Sequence, residues 1–146
     1  MSPPPEHNSS RALTLHSVVT GLSLKLSNMR ADYYTAELNS PEFRIQRDIV
    51  SGYFFNDEKL TTFFDGLAMQ EKPWAGEKKG HSLESALLIS ATCTILGQVT
   101  FDIVIRKLHG SMEEWEFRTK LQSELGQLPI LATAAKTFFE ADIHAS

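Results

Sequence analysis

Twice along this chain the spacing of apolar residues changes from two to a mixture of three and four. Leu22, Leu24 and Leu26 alternate with Ser23, Lys25 and Ser27, and Val99, Phe101, Ile103 and Ile105 alternate with Thr100, Asp102 and Val104. A period of two sends every second side chain to the same face, so each run predicts a strand with one dry side. Later in each half the spacing lengthens. Leu60, Phe63, Phe64, Leu67 and Ala68 form one helical stripe, and Leu128, Leu131, Ala132, Ala135, Phe138 and Phe139 form another. A strand with one dry face and a helix with one dry stripe each need a second layer. The pattern therefore excludes an all-helical bundle and predicts strands covered by helices.

The remaining signals fill in the order. In the first half, Leu13 and Leu15 open a strand that continues through Gly21, read as a bulge or bend, to Leu26. Tyr33 to Leu38 form a second run, Asn39-Ser40-Pro41 a turn, and Phe43, Ile45 and Ile49 a third strand. Asn56 or Asp57 is placed to cap the first helix, which should end near Met69, before Pro73. Residues 70–82 read as the longest polar connection. A strand then starts at Leu83, with Leu88 breaking its alternation as if apolar on both faces. Leu96-Gly97 marks a hairpin, and Trp115, Phe117, Thr119 and Leu121 mark the last strand. Pro129 is tolerable in the first turn of the second helix. The predicted class is α+β, an antiparallel sheet of about six strands with two helices in the order βββαβββα. It should occupy residues 11–143 as one domain, a size for which a single core suffices.

The halves look alike. Thr62-Phe63-Phe64-Asp65 recurs as Thr137-Phe138-Phe139-Glu140, each late in a helical stripe. A divergent duplication explains this, and so does the tendency of amphipathic helices to carry paired aromatics.

Composition narrows the function. Hydrophobic residues make up 42% and charged residues 22%, values of an ordinary globular chain. The net charge is −4, and each half carries seven basic and nine acidic side chains, so no basic surface for phosphate neutralisation is expected. Nucleic acid is therefore not an expected partner. No apolar run approaches the ~20 residues of a membrane-spanning helix. Residues 1–10, with three consecutive prolines, read as a disordered leader without the basic and apolar regions of a signal peptide. Cys93 is the single cysteine, which excludes an internal disulfide and suits a small buried hydrophobe. The expected location is the cytoplasm.

No complete catalytic motif, metal-ligand spacing or phosphate loop is present, and no cofactor is expected. The densest set of reactive side chains is Trp74, Glu77, Lys78, His81 and Glu84. His81 and Glu84 suggest an acid–base pair, although three residues along a strand they tend to face opposite ways. The bland alternative is a core-edge tryptophan with surface ion pairs. A second candidate is Glu113, Glu114 and Trp115, an acidic rim beside a large ring that suits a basic protein partner. One of Tyr33 and Tyr34 should face solvent on the wet side of its strand.

From Phe63 onward the residues form a recognisable series: Phe63-Phe64-Asp65-Gly66-Leu67-Ala68, Trp74-Ala75-Gly76-Glu77-Lys78, Ser82-Leu83-Glu84, Gly97-Gln98-Val99, Gly126-Gln127-Leu128 and Phe138-Phe139. In these the chain resembles a family of small bacterial proteins of unknown function, common in actinobacteria. Members of that family often carry an aromatic where this chain has Gly80 or His81, and a histidine in place of Gln98. The resemblance implies this element order and a shared Trp74–Glu84 segment, and no activity.

The expected function is a non-catalytic protein-binding module, of which an immunity-type protein neutralising a bacterial toxin is one form. The alternatives are a small-molecule-binding protein or enzyme with a site near Trp74–Glu84, and a structural homodimer joined through an exposed strand. The expected partner is thus another protein or a second copy of the chain.

Overall fold

The structure is a computed structural model that describes residues 11–30, 32–51, 58–107, 110 and 112–140. Residues 1–10, expected as a disordered leader, and Asn56 and Asp57, expected as helix caps, lie outside that set. The first half forms β1 (Ala12–His16), β2 (Ser23–Ser27), β3 (Tyr33–Asn39), β4 (Arg44–Val50) and α1 (Glu58–Ala68). The second forms β5 (Lys78–His81), β6 (Leu87–Cys93), β7 (Gln98–Lys107), β8 (Trp115–Glu124) and α2 (Leu128–Glu140). The class is α+β and the pairing antiparallel throughout. The single six-stranded sheet is corrected to two four-stranded meanders, β1-β2-β3-β4 and β5-β6-β7-β8.

Both extra strands have physical causes. Around Gly21 the chain does not bend within one strand; it closes a hairpin. Ser17 makes the closure, donating its backbone N–H to the Leu22 carbonyl at 2.9 Å while its Oγ accepts from the N–H groups of Val19 and Thr20 at 3.0 Å. Gly21 has no side chain to collide with Pro41, whose Cδ would lie 3.2 Å from an added Cβ. The second extra strand lies in the polar connection. Lys78–His81 has little strand propensity, but it pairs residue for residue with Ala91–Leu88 and so satisfies the exposed edge of β6. The expected strand start at Leu83 is instead a 3₁₀ turn over Leu83–Ser85, with Glu84 at φ 64° and Ser85 at φ 56°. Ser82 holds this turn, its Oγ accepting from the Leu87 N–H at 3.0 Å.

Register then builds the core. Leu15, Leu24, Leu38 and Ile45 form one inward row of the first sheet. Leu87, Ile105 and Phe117 form one in the second, as do Ala91, Phe101 and Leu121. The inward residues of both sheets join one apolar cluster with the two helix stripes. Each helix packs chiefly on the first strand of the other half, α1 on β5 and α2 on β1, and the helices pack on each other. Their aromatics meet there. The Phe64 and Phe139 rings are 6.3 Å apart, and Tyr34 of β3 sits edge-on to Phe138 and Phe139 at 5.9 and 5.8 Å. Tyr34 is wholly buried while Tyr33 is 44% exposed, the division that alternation requires.

Smaller expectations follow suit. Pro129 occupies the second position of α2, where its missing N–H costs nothing. Cys93 ends β6 half-buried against the core, its thiol 3.4 Å from the Thr94 carbonyl.

The junction of the two helices yields a stability test. Phe64→Ala should cost about 3–5 kcal/mol, as for other fully buried rings. A double-mutant cycle with Phe139→Ala in urea should show a coupling of about 0.5–1.5 kcal/mol. Strict additivity would mean that the helices do not rest on this pair.

Candidate functional site

The outward face of the second sheet is where candidate chemistry gathers. Register sets two rows across it. One runs Lys79, Ser90, Asp102, Lys120, and the next runs His81, Leu88, Val104, Arg118. In the middle of the first sheet the outward residues are polar, among them Lys25, Glu37 and Gln46. Here Leu88 and Val104 stand in their place. Val104 is only 5% exposed although its register position faces away from the core, with Asp102 and Arg106 beside it on β7 and Leu88 and Arg118 across from it. The result is a cleft of about 250 Å³ with an apolar floor and a charged rim, lined among others by Glu77, Lys79, His81, Asp102, Arg106 and Arg118.

The rim is laced by ion pairs. Asp102 takes Lys120 Nζ at 2.8 Å and faces Arg118 Nη1 at 3.6 Å. Glu116 faces Arg118 Nη2 at 3.7 Å and Arg106 Nη1 at 3.8 Å. Lys79 and Glu77 are 3.5 Å apart. Arg106 is the best fixed member. Its Nε donates to the Ser85 carbonyl at 3.0 Å, and its backbone N–H bonds the Ala86 carbonyl at 2.9 Å. Its own carbonyl accepts from Arg47 of β4, which ties this end of β7 to the first sheet. His81 has Nδ1 3.0 Å from the Ser82 carbonyl, a contact that leaves Nε2 for the cleft when Nδ1 carries the proton.

The structure divides the first candidate group. Glu77 and His81 line the cleft. Trp74 and Lys78 lie on the other side: Lys78 pairs with core-facing Ala91, and Trp74 packs on the core with Lys78 Nζ 5.5 Å from its ring centroid. Trp74 Nε1 is buried without a hydrogen-bond acceptor among the described residues. Glu84 is carried by the 3₁₀ turn and does not line the cleft, so the geometry does not assemble an acid–base pair with His81. The second group stands apart. Glu113 and Glu114 are exposed before the start of β8, and Trp115 is 38% exposed; none lines the cleft. Among the described residues no three His, Cys, Asp or Glu side chains converge as a metal site.

Sequence reasoning passed over Lys79, Ser90, Asp102, Val104, Arg106 and Arg118. Two signals pointed toward them. Leu88 interrupts its alternation, and Val104 is an apolar residue in a polar register position. What joins them is pairing between strands, which no spacing along the chain reveals.

A second hollow, of about 330 Å³, lies between the end of β1, β8 and the start of α2. Leu15, Phe101 and Leu131 form its walls, Val18 and Ile130 its rim; His16 also lines it, and among the described residues no Asp, Glu, Lys or Arg does. Val18 is 51% and Ile130 65% exposed.

The rim charges should matter little for folding. Arg118→Gln and Lys120→Met, at side chains 60% and 65% exposed, should each change stability by less than about 1 kcal/mol. Val104→Ala should cost more than either, since it removes buried methyl groups. Urea unfolding of the three variants checks this, and equal losses would remove the distinction between floor and rim.

No helix of the described structure is long and apolar enough to cross a membrane. No curated protein matches the sequence, and no solved structure matches it either. One family model does, over residues 7–142, nearly the whole chain, and it includes all the strands and both helices described above. The chain therefore belongs to the family of unknown function DUF6228.

Proposed function

We propose that this protein is a non-catalytic binding protein that holds a protein partner on the outward face of β5–β8. The observation that carries the reading is Val104, an outward-facing residue that is buried beside Leu88, with Asp102, Arg106 and Arg118 on its other sides. An apolar centre enclosed by a polar rim is the anatomy of a protein interface, where a few anchored side chains supply most of the affinity. Volume favours the same partner class. Sites for small organic ligands usually enclose about 300–1,000 Å³. The cleft holds about 250 Å³ and is open to solvent, which suits one side chain of a larger molecule. Energetics agree, because exposed ion pairs of this kind contribute too little to stability to account for a row of them. A toxin neutralised by contact is one partner of this kind, and binding one would make the protein immunity-type.

The test is comparative capture from extracts of the cells that make the protein. Wild type and Lys25→Glu, altered on the outer face of the first sheet, should retain the same partner. The double variant Lys79→Glu, Arg118→Glu should lose it while melting at a similar temperature. Retention by the double variant, equal loss by Lys25→Glu, or no specific partner for the wild type would each refute the reading.

The hollow beside α2, with its apolar walls, favours a second reading, a site for a small apolar ligand. Its volume of about 330 Å³ falls within the range of such sites, and its walls reach the core at Leu15 and Phe101. The native protein should then enhance the fluorescence of anilinonaphthalene sulfonate, and Ile130→Glu at the rim should abolish the enhancement. An unchanged signal in the variant, or none in the wild type, would count against it.

A further inference from the structure

We infer that the cleft on β5–β8 is specific for a carboxylate side chain of the partner, seated over Val104 between Arg106 and Arg118. This rests on the reading of that face as a protein-binding surface and adds the chemistry of what it recognises.

Arg118 has donors to spare. A guanidinium carries five N–H groups. Among the described residues Arg118 makes no hydrogen bond with them, since its approaches to Asp102 and Glu116, at 3.6 and 3.7 Å, are longer than hydrogen bonds. Arg106 is in a similar state. Its Nε is committed to the Ser85 carbonyl, and Nη1 lies 3.8 Å from Glu116. The Ser85 bond aims the guanidinium without using its outer nitrogens. Register places both cations around one point. Arg118 lies directly across from Val104 on the neighbouring strand, and Arg106 is two residues along the same face of β7. An oxyanion above the Val104 methyl groups is within reach of both. Planar carboxylates take paired hydrogen bonds from arginine, and each such bond is stronger than its neutral counterpart.

The balance of charge points the same way. The cleft itself is lined by Lys79, Arg106 and Arg118 against Glu77 and Asp102, one more cation than carboxylates in a protein of net charge −4. The acid nearest the floor, Asp102, has Lys120 Nζ on Oδ2 at 2.8 Å, while its buried Oδ1 faces Arg118 Nη1 at 3.6 Å without a hydrogen bond among the described residues. A partner's carboxylate would meet the outer guanidinium nitrogens of Arg106 and Arg118, which make no hydrogen bond among the described residues. The apolar floor adds a second requirement, an aliphatic or aromatic group next to the acid.

The test is a titration of the full-length, ¹⁵N-labelled protein with acetyl-Phe-Glu-amide, its neutral isostere acetyl-Phe-Gln-amide, and inorganic phosphate, followed by amide chemical shifts. The Glu peptide should move the signals of Val104, Arg106 and Arg118 and bind about tenfold or more tightly than the Gln peptide. Arg118→Gln should erase that preference without moving the melting temperature. Equal binding of the two peptides at the cleft would overturn the carboxylate specificity and leave the protein-binding face standing. A response to phosphate without one to the Glu peptide would overturn the partner's carboxylate in favour of a free oxyanion. Absence of any shift at the cleft would overturn the inference outright, while partner capture by the wild type still decides the fate of the face.

Discussion

The helices of this protein are exchanged between its halves, and the rest of the structure follows from that. Each half makes a four-stranded meander whose inward face is apolar. Each then makes a helix that rests chiefly on the first strand of the other half, α1 on β5 and α2 on β1. Where the helices meet, Phe64, Phe138 and Phe139 interlock, and Tyr34 closes the cluster from the first sheet. Burial of such rings is worth several kcal/mol in total, a large share of the net stability of a domain this size. The paired phenylalanines thus join two sheets that, among the described residues, share no continuous hydrogen-bonded ladder.

With the inward faces committed to that core, the outward faces are left for interaction. They are not equivalent. The first sheet's outward centre is polar and partly self-paired, with Thr35 Oγ1 donating to Asp48 at 3.0 Å and Arg44 meeting Glu37 at 2.7 Å. The second sheet's outward centre carries Leu88 and Val104 beneath charged residues. Support for this face comes from behind. Phe101, Ile103 and Ile105 fix β7 from the core side, and Arg47 reaches across from β4 to the Arg106 carbonyl. Side chains carried on strands supported in this way are held in place, which lowers the entropic cost of any contact they make.

Much of the fold could be read in the chain because alternation and helical stripes are local. The helix end near Met69, the hairpin at Gly97 and the division of Tyr33 and Tyr34 between solvent and core all follow from spacing and turn chemistry, although which of the two tyrosines is buried does not. The missed elements failed for identifiable reasons. Gly21 looked like an interruption because the loop around it is short and its hydrogen bonds come from Ser17, a residue with no distinctive spacing. Lys78–His81 looked like a linker because its strand state depends on pairing with β6 and not on its own composition. Of the first candidate group, Glu77 and His81 reach the cleft while Lys78, between them, turns to the core side as strand alternation requires; Trp74 packs on the core from the connection before β5.

The sequence by itself determined which side chains point inward, since that depends only on the pleat of a strand and the pitch of a helix. It also determined the repeated order of strands followed by a helix. Only the tertiary structure decided which sheet each helix covers and which outward residues become neighbours. Arg118 and Val104 are 14 positions apart and His81 is further still, yet all three share a row. Cross-strand neighbours are set by register, and register is chosen by the packing of the whole core, so the cleft exists only once both sheets and both helices are in place.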